Sequence, residues 1–245
     1  MSAGAGMIDG LAISGVTVRF GGHLALHEVS VTAPPARVTG LIGPNGAGKT
    51  TLFNVATGML SPQTGDIKLD GRALTKLPAY KRARLGLGRT FQRLELFTTL
   101  SVRENVAVAG VVAKRRQVRT TVDEVMERVG VAQLADRDVG EIPTGMARRV
   151  ELARALMTAP TMLLLDEPAS GQNEDETAEF AALLTSLAAD GTGILLVEHD
   201  MALVMAACTY LHVLDFGQII AAGTPDEIRS DPAVIAAYLG AEATA

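Results

Sequence analysis

The chain has 245 residues, with 22 Lys and Arg against 27 Asp and Glu for a formal net charge of −5, and a single cysteine, Cys208. A chain of this length makes one large domain or two small ones and buries on the order of 70% of its unfolded surface, so it needs no covalent staples. One cysteine excludes a disulfide scaffold or a cysteine-built zinc site, and the acidic balance excludes a protein that coats nucleic acid. Hydrophobic residues are 48% of the total, yet no stretch approaches the roughly 20 apolar residues of a membrane-spanning helix.

The N-terminus lacks the basic segment of a signal peptide and meets Asp9 early, so the chain is expected in the cytosol. Leu11/Ile13, Val16/Val18/Phe20, Val29/Val31 and Ile67/Leu69 alternate with polar residues, the pattern of half-exposed strands. Val38 to Ile42 reads as a strand, and Thr50 to Thr57 as the helix that follows it. From Arg93 to Thr158 the alternation disappears; Val122 to Val129 and Met146 to Met157 have helical spacing. The unbroken apolar runs Met162 to Leu165 and Ile194 to Val197 suit strands buried on both faces of a parallel sheet. Thr224-Pro225-Asp226-Glu227 is a capping box with Pro at the first helical position, and Asp231-Pro232 opens a second short helix that is expected to stop at Gly240. The expected class is therefore α/β, a mainly parallel sheet with an antiparallel β edge and a helical insertion.

Gly43-Pro44-Asn45-Gly46-Ala47-Gly48-Lys49-Thr50, followed by Thr51, fits the P-loop pattern between a strand and a helix. Its glycines let consecutive N–H groups wrap phosphates, Lys49 neutralises the β/γ oxygens, and the Thr50 hydroxyl serves Mg²⁺. Asp166 and Glu167 close a buried strand at its carboxyl end, where open α/β sheets bind ligands. Asp166 is placed to hold Mg²⁺ and Glu167 to take a proton from an attacking water. His199 follows the next buried strand at the same edge and can donate to a γ-phosphate. The run Lys114 to Arg119 has basic residues but no interleaved aromatics for base stacking, so it reads as a solvated loop.

The order of these pieces, P-loop, Gln92, helical insertion, Asp166-Glu167 and His199, resembles the ATP-binding subunit of ABC transporters along nearly the whole chain. Arg89-Thr90-Phe91-Gln92 with Leu96-Phe97, Glu198-His199-Asp200-Met201, and the tail from Gly223-Thr224-Pro225 to Ala237-Tyr238-Leu239-Gly240 resemble more narrowly the subunit that serves branched-chain amino acid import. The resemblance implies a P-loop ABC ATPase domain with its core in 1–92 and 158–223, a helical subdomain at about 93–157 and a helical tail in 224–245. It implies ATP and Mg²⁺ as cofactors, Phe20 against adenine, Gln92 touching Mg²⁺ and the attacking water, and Ser170 to Asn173 crossing to a second ATPase subunit. Its partners would be integral membrane permease subunits at the cytoplasmic face of the membrane, with no nucleic acid and no contact with the transported substrate. Asn173 with Glu176 also reads as a capping box.

The family signature, usually Leu-Ser-Gly-Gly-Gln, aligns with Ile142-Pro143-Thr144-Gly145-Met146. Pro143 replaces the serine, leaving Gly145, the helix start and the Thr144 hydroxyl to meet a γ-phosphate of the partner subunit. Transport of urea or short amides is the alternative for the same architecture. A soluble ABC protein of DNA repair or translation would need a second cassette or a large insertion that this chain lacks, and a module that binds ATP without turnover has no use for Glu167 and His199.

Overall fold

A computed structural model describes the backbone of residues 10–115 and 120–242. Among the described residues, two sheets form. The outer sheet is antiparallel and carries β1 (Leu11–Phe20), β2 (His23–Ala33), β4 (Thr64–Leu69) and β5 (Arg72–Ala73) in the order β2-β1-β4-β5. Leu11, Ile13, Val16 and Val18 of β1 are buried. The alternation changes phase between Ile13 and Val16 because the register with β2 and β4 shifts there, as a bulge requires.

The second sheet holds β3 (Val38–Ile42), β6 (Leu87–Arg89), β7 (Met162–Asp166), β8 (Gly193–Val197), β9 (Tyr210–Asp215) and β10 (Gln218–Gly223) in the order β10-β9-β3-β8-β7-β6. All its pairings are parallel except β9 with β10. Every residue of β3, β7 and β8 is buried, which explains their unbroken apolar sequences. Leu163, Leu165, Ile194 and Leu196 face one core; Met162, Leu164, Leu195 and Val197 face the other. The period of two along a strand thus fills both layers.

Against the sheet pack α1 (Lys49–Thr57), α2 (Ala79–Arg84), α6 (Glu174–Ala189) and α7 (Met201–Ala207). Arg82, almost wholly buried, donates to the Leu77, Thr75, Val55 and Ala56 carbonyls and so satisfies the end of α1. Between β6 and β7 lie α3 (Val102–Arg115), α4 (Val122–Arg128) and α5 (Thr144–Leu156). Buried Asn105 of α3 exchanges hydrogen bonds with both backbone groups of Phe97 and donates to the Leu100 and Ser101 carbonyls, fixing the turn that leads into this segment.

Helix limits differ from the sequence reading by one residue at Lys49, Arg128 and Leu156, and by more at two ends. α5 begins at Thr144 rather than Met146, because Pro143 serves as its N-cap and a proline fits ahead of a helix whatever the apolar spacing behind it. The chain ends in α8 (Pro225–Arg229) and α9 (Pro232–Glu242), and α9 runs through Gly240 instead of stopping there. The capping boxes at Asn173/Glu176 and Thr224/Glu227 both form. Of the basic run read as a loop, Lys114 and Arg115 are the last residues of α3, because the helix carries on past the apolar residues before them; residues 116–119 and the side chains of the run lie outside the described residues. Among the described residues no helix is long and apolar enough to cross a membrane.

Candidate functional site

The segment Gly43 to Gly48 joins β3 to α1 at the carboxyl edge of the parallel sheet. Its glycines are required by the backbone. Gly43 has φ 149° and a Cβ there would stand 1.9 Å from the Leu214 carbonyl oxygen; Gly48 has φ 110° and a Cβ would meet the Ala25 oxygen at 2.8 Å. Gly48 is also the N-cap of α1 and offers no side-chain acceptor, so the first N–H groups of that helix are left for a ligand. Lys49 Nζ donates to the Gly43 and Pro44 carbonyls at 2.6 and 3.0 Å. Burial pulls its pKa below the usual lysine range, while the carboxylates of Glu167 and Asp166 pull it back up. A groove of about 290 Å³ runs over this loop, lined by Asn45 to Thr51 together with Gln92 and Glu167.

Asp166 ends β7 and is buried. Desolvation raises its pKa, and Arg89 opposes that rise. Arg89 ends β6 and is held from several sides: Nη1 donates to Asn54 Oδ1 at 2.7 Å and Thr57 Oγ1 at 3.2 Å on α1, and Nη2 to Asp166 Oδ2 at 3.2 Å. The Phe53 and Phe91 rings flank it, their centroids 5.7 and 5.0 Å from the guanidinium carbon.

Glu167 follows in the left-handed region at φ 49°, a conformation that costs a residue with a Cβ about 1–2 kcal/mol. Its N–H donates to the Val197 carbonyl at 2.9 Å and its Oε2 accepts from Gln92 Nε2 at 3.1 Å. Gln92 is in turn held from α5: Arg148 donates to the Phe91 and Gln92 carbonyls at 3.0 and 2.6 Å and pairs with Glu151 at 3.3 Å. His199 stands beyond β8 with its side chain 66% exposed. The structure thus brings Lys49, Thr50, Thr51, Gln92 and Glu167 to one groove, with Asp166 behind it.

Other sequence candidates lie apart from that groove. Phe20 is half exposed where β1 turns into β2, opposite His23; His23 lines a larger, apolar groove of about 790 Å³ with Pro44 to Ala47, Phe216 and α9. Thr144 and Gly145 begin α5 and abut Gly171 and Gln172, on the segment after Glu167, and do not line the Lys49 groove.

The family model described as "ABC transporter" matches residues 26–170, and one described as "Branched-chain amino acid ATP-binding cassette transporter" matches residues 218–244. This chain belongs to the ABC transporter family. Its relatives include the high-affinity branched-chain amino acid transport ATP-binding proteins BraF of Pseudomonas aeruginosa, 42% identical over 94% of this chain and 97% of that one, and LivG of Escherichia coli, 41% identical over the same shares. A nucleotide-free ATP-binding cassette from an ABC transporter superposes with a TM-score of 0.84 at 30% identity, over 93% of this chain and 98% of its own. A cassette in its ADP conformation gives 0.83 at 30% identity, over 94% and 98%.

The Lys49 groove and the carboxylates beside it lie at the carboxyl edge of the parallel sheet. Arg89 and Glu198 stand in the sequence only within longer strings, and their local pattern assigns neither a task. A cation at the end of a strand that faces an acidic strand end was the signal for Arg89. Glu198 places a charge directly after the buried apolar run of β8, where a side chain with no water needs partners.

Proposed function

We propose that this chain is the ATP-hydrolysing, energy-coupling subunit of an importer for branched-chain amino acids. The observation that carries the reading is the groove over Lys49, where the open N-terminus of α1, a cation and the Gln92–Glu167 pair converge. Lys49 and the N–H groups of 45–50 receive the phosphates, the Gly43 and Pro44 carbonyls releasing the ammonium to them, and Phe20 meets the adenine face.

Among the described residues no three His, Cys, Asp or Glu side chains gather as a metal cage. The donor set of Thr50, Gln92 and Asp166 suits Mg²⁺, which takes most of its oxygens from phosphate and water. When bound, that ion would neutralise charge on the β and γ oxygens. Glu167, hydrogen-bonded to Gln92, takes the proton of the attacking water, and His199 donates to the γ-phosphate.

Thr144 and Gly145, which do not line the Lys49 groove, supply the nucleotide contact for a second ATPase subunit, so two chains close head to tail on two ATP molecules. Exposed Met59, Tyr80 and Phe91 border an apolar groove of about 280 Å³ on the surface next to Arg89, which suits a helix of a membrane permease at the cytoplasmic face. The cargo follows from the relatives' names and the matching tail.

The test is Glu167→Gln. It is expected to keep ATP binding and to lower turnover by roughly 10²–10⁴, about 3–5 kcal/mol of barrier. Phosphate release at the wild-type rate would reject the general-base role, and with it the hydrolytic reading of the groove.

A further inference from the structure

Glu198 is a buried carboxylate with no part in the reaction proposed above. Its side chain has no exposed surface, and burying a charge there costs several kcal/mol unless its oxygens are satisfied. Burial pushes its pKa up, and the N–H groups of Ala169, Asp200 and His199 hold it down. The two oxygens face different loops. Oε1 accepts from the Ala169 N–H at 2.9 Å, while Oε2 accepts from the His199 N–H at 3.1 Å and the Asp200 N–H at 3.4 Å.

The ladder between β7 and β8 ends at Asp166 and Val197, is extended once by the Glu167 N–H on the Val197 oxygen, and then the main chains diverge. Beyond that point the Glu198 side chain takes over the role of the ladder. On one side it holds the segment that runs from Glu167 to Asn173; on the other it holds the peptide that presents His199.

We propose that Glu198 is a positioning residue that keeps His199 in register with the segment after Glu167, so that displacement of that segment by the second subunit moves the γ-phosphate ligand. The inference rests on the functional reading above. Only a carboxylate presents an acceptor to both loops; a glutamine would turn its NH₂ toward one set of N–H donors and break the tie on that side.

The full chain and its variants can be compared by calorimetry for ATP affinity and by steady-state and single-turnover hydrolysis. Glu198→Gln is expected to lower turnover roughly tenfold, about 1.4 kcal/mol, with ATP affinity within about twofold. In a His199→Ala background the same change is expected to alter single turnover less than about twofold, because residues that act through one another are not additive. A residue that merely supports the fold would cost the full tenfold in both backgrounds, and that result would overturn the proposal.

Glu198→Asp keeps the charge and can reach its own loop but falls one methylene short of Ala169. It is expected to lose turnover like the glutamine variant, and it carries the same cycle if that variant does not fold. Wild-type turnover in Glu198→Asp would show the tie to be dispensable and overturn the proposal. A wild-type chain without ATP turnover would instead overturn the functional reading, and this inference with it.

Discussion

Lys49 sits where opposing forces meet. Burial disfavours its charge, two carboxylates favour it, and its hydrogen bonds run back to the Gly43 and Pro44 carbonyls of its own loop. Under the proposed function, an incoming phosphate would add negative charge at the spot where those carbonyls now hold the ammonium and would stabilise the cation. Lys49→Ala is expected to weaken ATP binding by roughly ten- to a hundredfold, the scale of about 1.5–3 kcal/mol for a hydrogen bond to a charged group. Calorimetry of the purified chain reads this directly, and unchanged affinity would remove Lys49 from the nucleotide site. Glu167 raises a different point. Its left-handed backbone is the kind of local strain that accumulates at working positions, and the hydrogen bonds to Val197 and Gln92 hold it in place. A sequence pattern places the carboxylate at the end of β7 but carries no information about φ.

At the level of elements, α1 depends on a residue outside it. The Arg82 guanidinium, from α2, meets the Val55 and Ala56 carbonyls at 2.7 Å each. Arg82→Met would leave buried acceptors unmet at about 1–3 kcal/mol each, so a fall in stability of roughly 2–5 kcal/mol in urea unfolding is expected. A loss below about 0.5 kcal/mol, the level of an ordinary surface change, would show that water reaches those carbonyls. Such ties are long in sequence and invisible to local pattern. What could be read in advance was local: the apolar runs of β7 and β8, the strand, turn and helix around Gly43 to Thr57, and the capping boxes, whose partners lie three residues apart. What could not be read depends on distant partners. β6 is three residues long and exists because Leu87, Gly88 and Arg89 pair with β7. The uncharged stretch Met201 to Leu214 divides into α7 and β9, a division set by β9's pairing with β3. The early start of α5 reflects proline geometry at Pro143, where Thr144 and Gly145 add nothing to apolar periodicity.

For the molecule as a whole, Thr144 and Gly145 stand apart from the Lys49 groove, so under the proposed function a lone chain would hold half a site at each end. α5 starts on Pro143 without a side-chain cap, leaving its N–H groups and the exposed Thr144 hydroxyl to a ligand from outside. Thr144→Val in the Glu167→Gln background is expected to weaken ATP-driven dimerisation roughly ten- to a hundredfold, the same charged hydrogen-bond scale. Sedimentation with ATP and Mg²⁺ measures it, and equal dimer populations in the two proteins would mean that the helix end and Gly145 suffice. The strand order also bears on how the chain is made. β3, which carries the P-loop, lies between β8 and β9, and both leave the ribosome only after the whole helical segment has been synthesised. The P-loop is therefore encoded early and assembled late: a nascent chain that stops short of β9 lacks one of the two neighbours of the strand that carries it. Nucleotide can reward the finished fold, but it cannot guide the N-terminal part of the chain toward it.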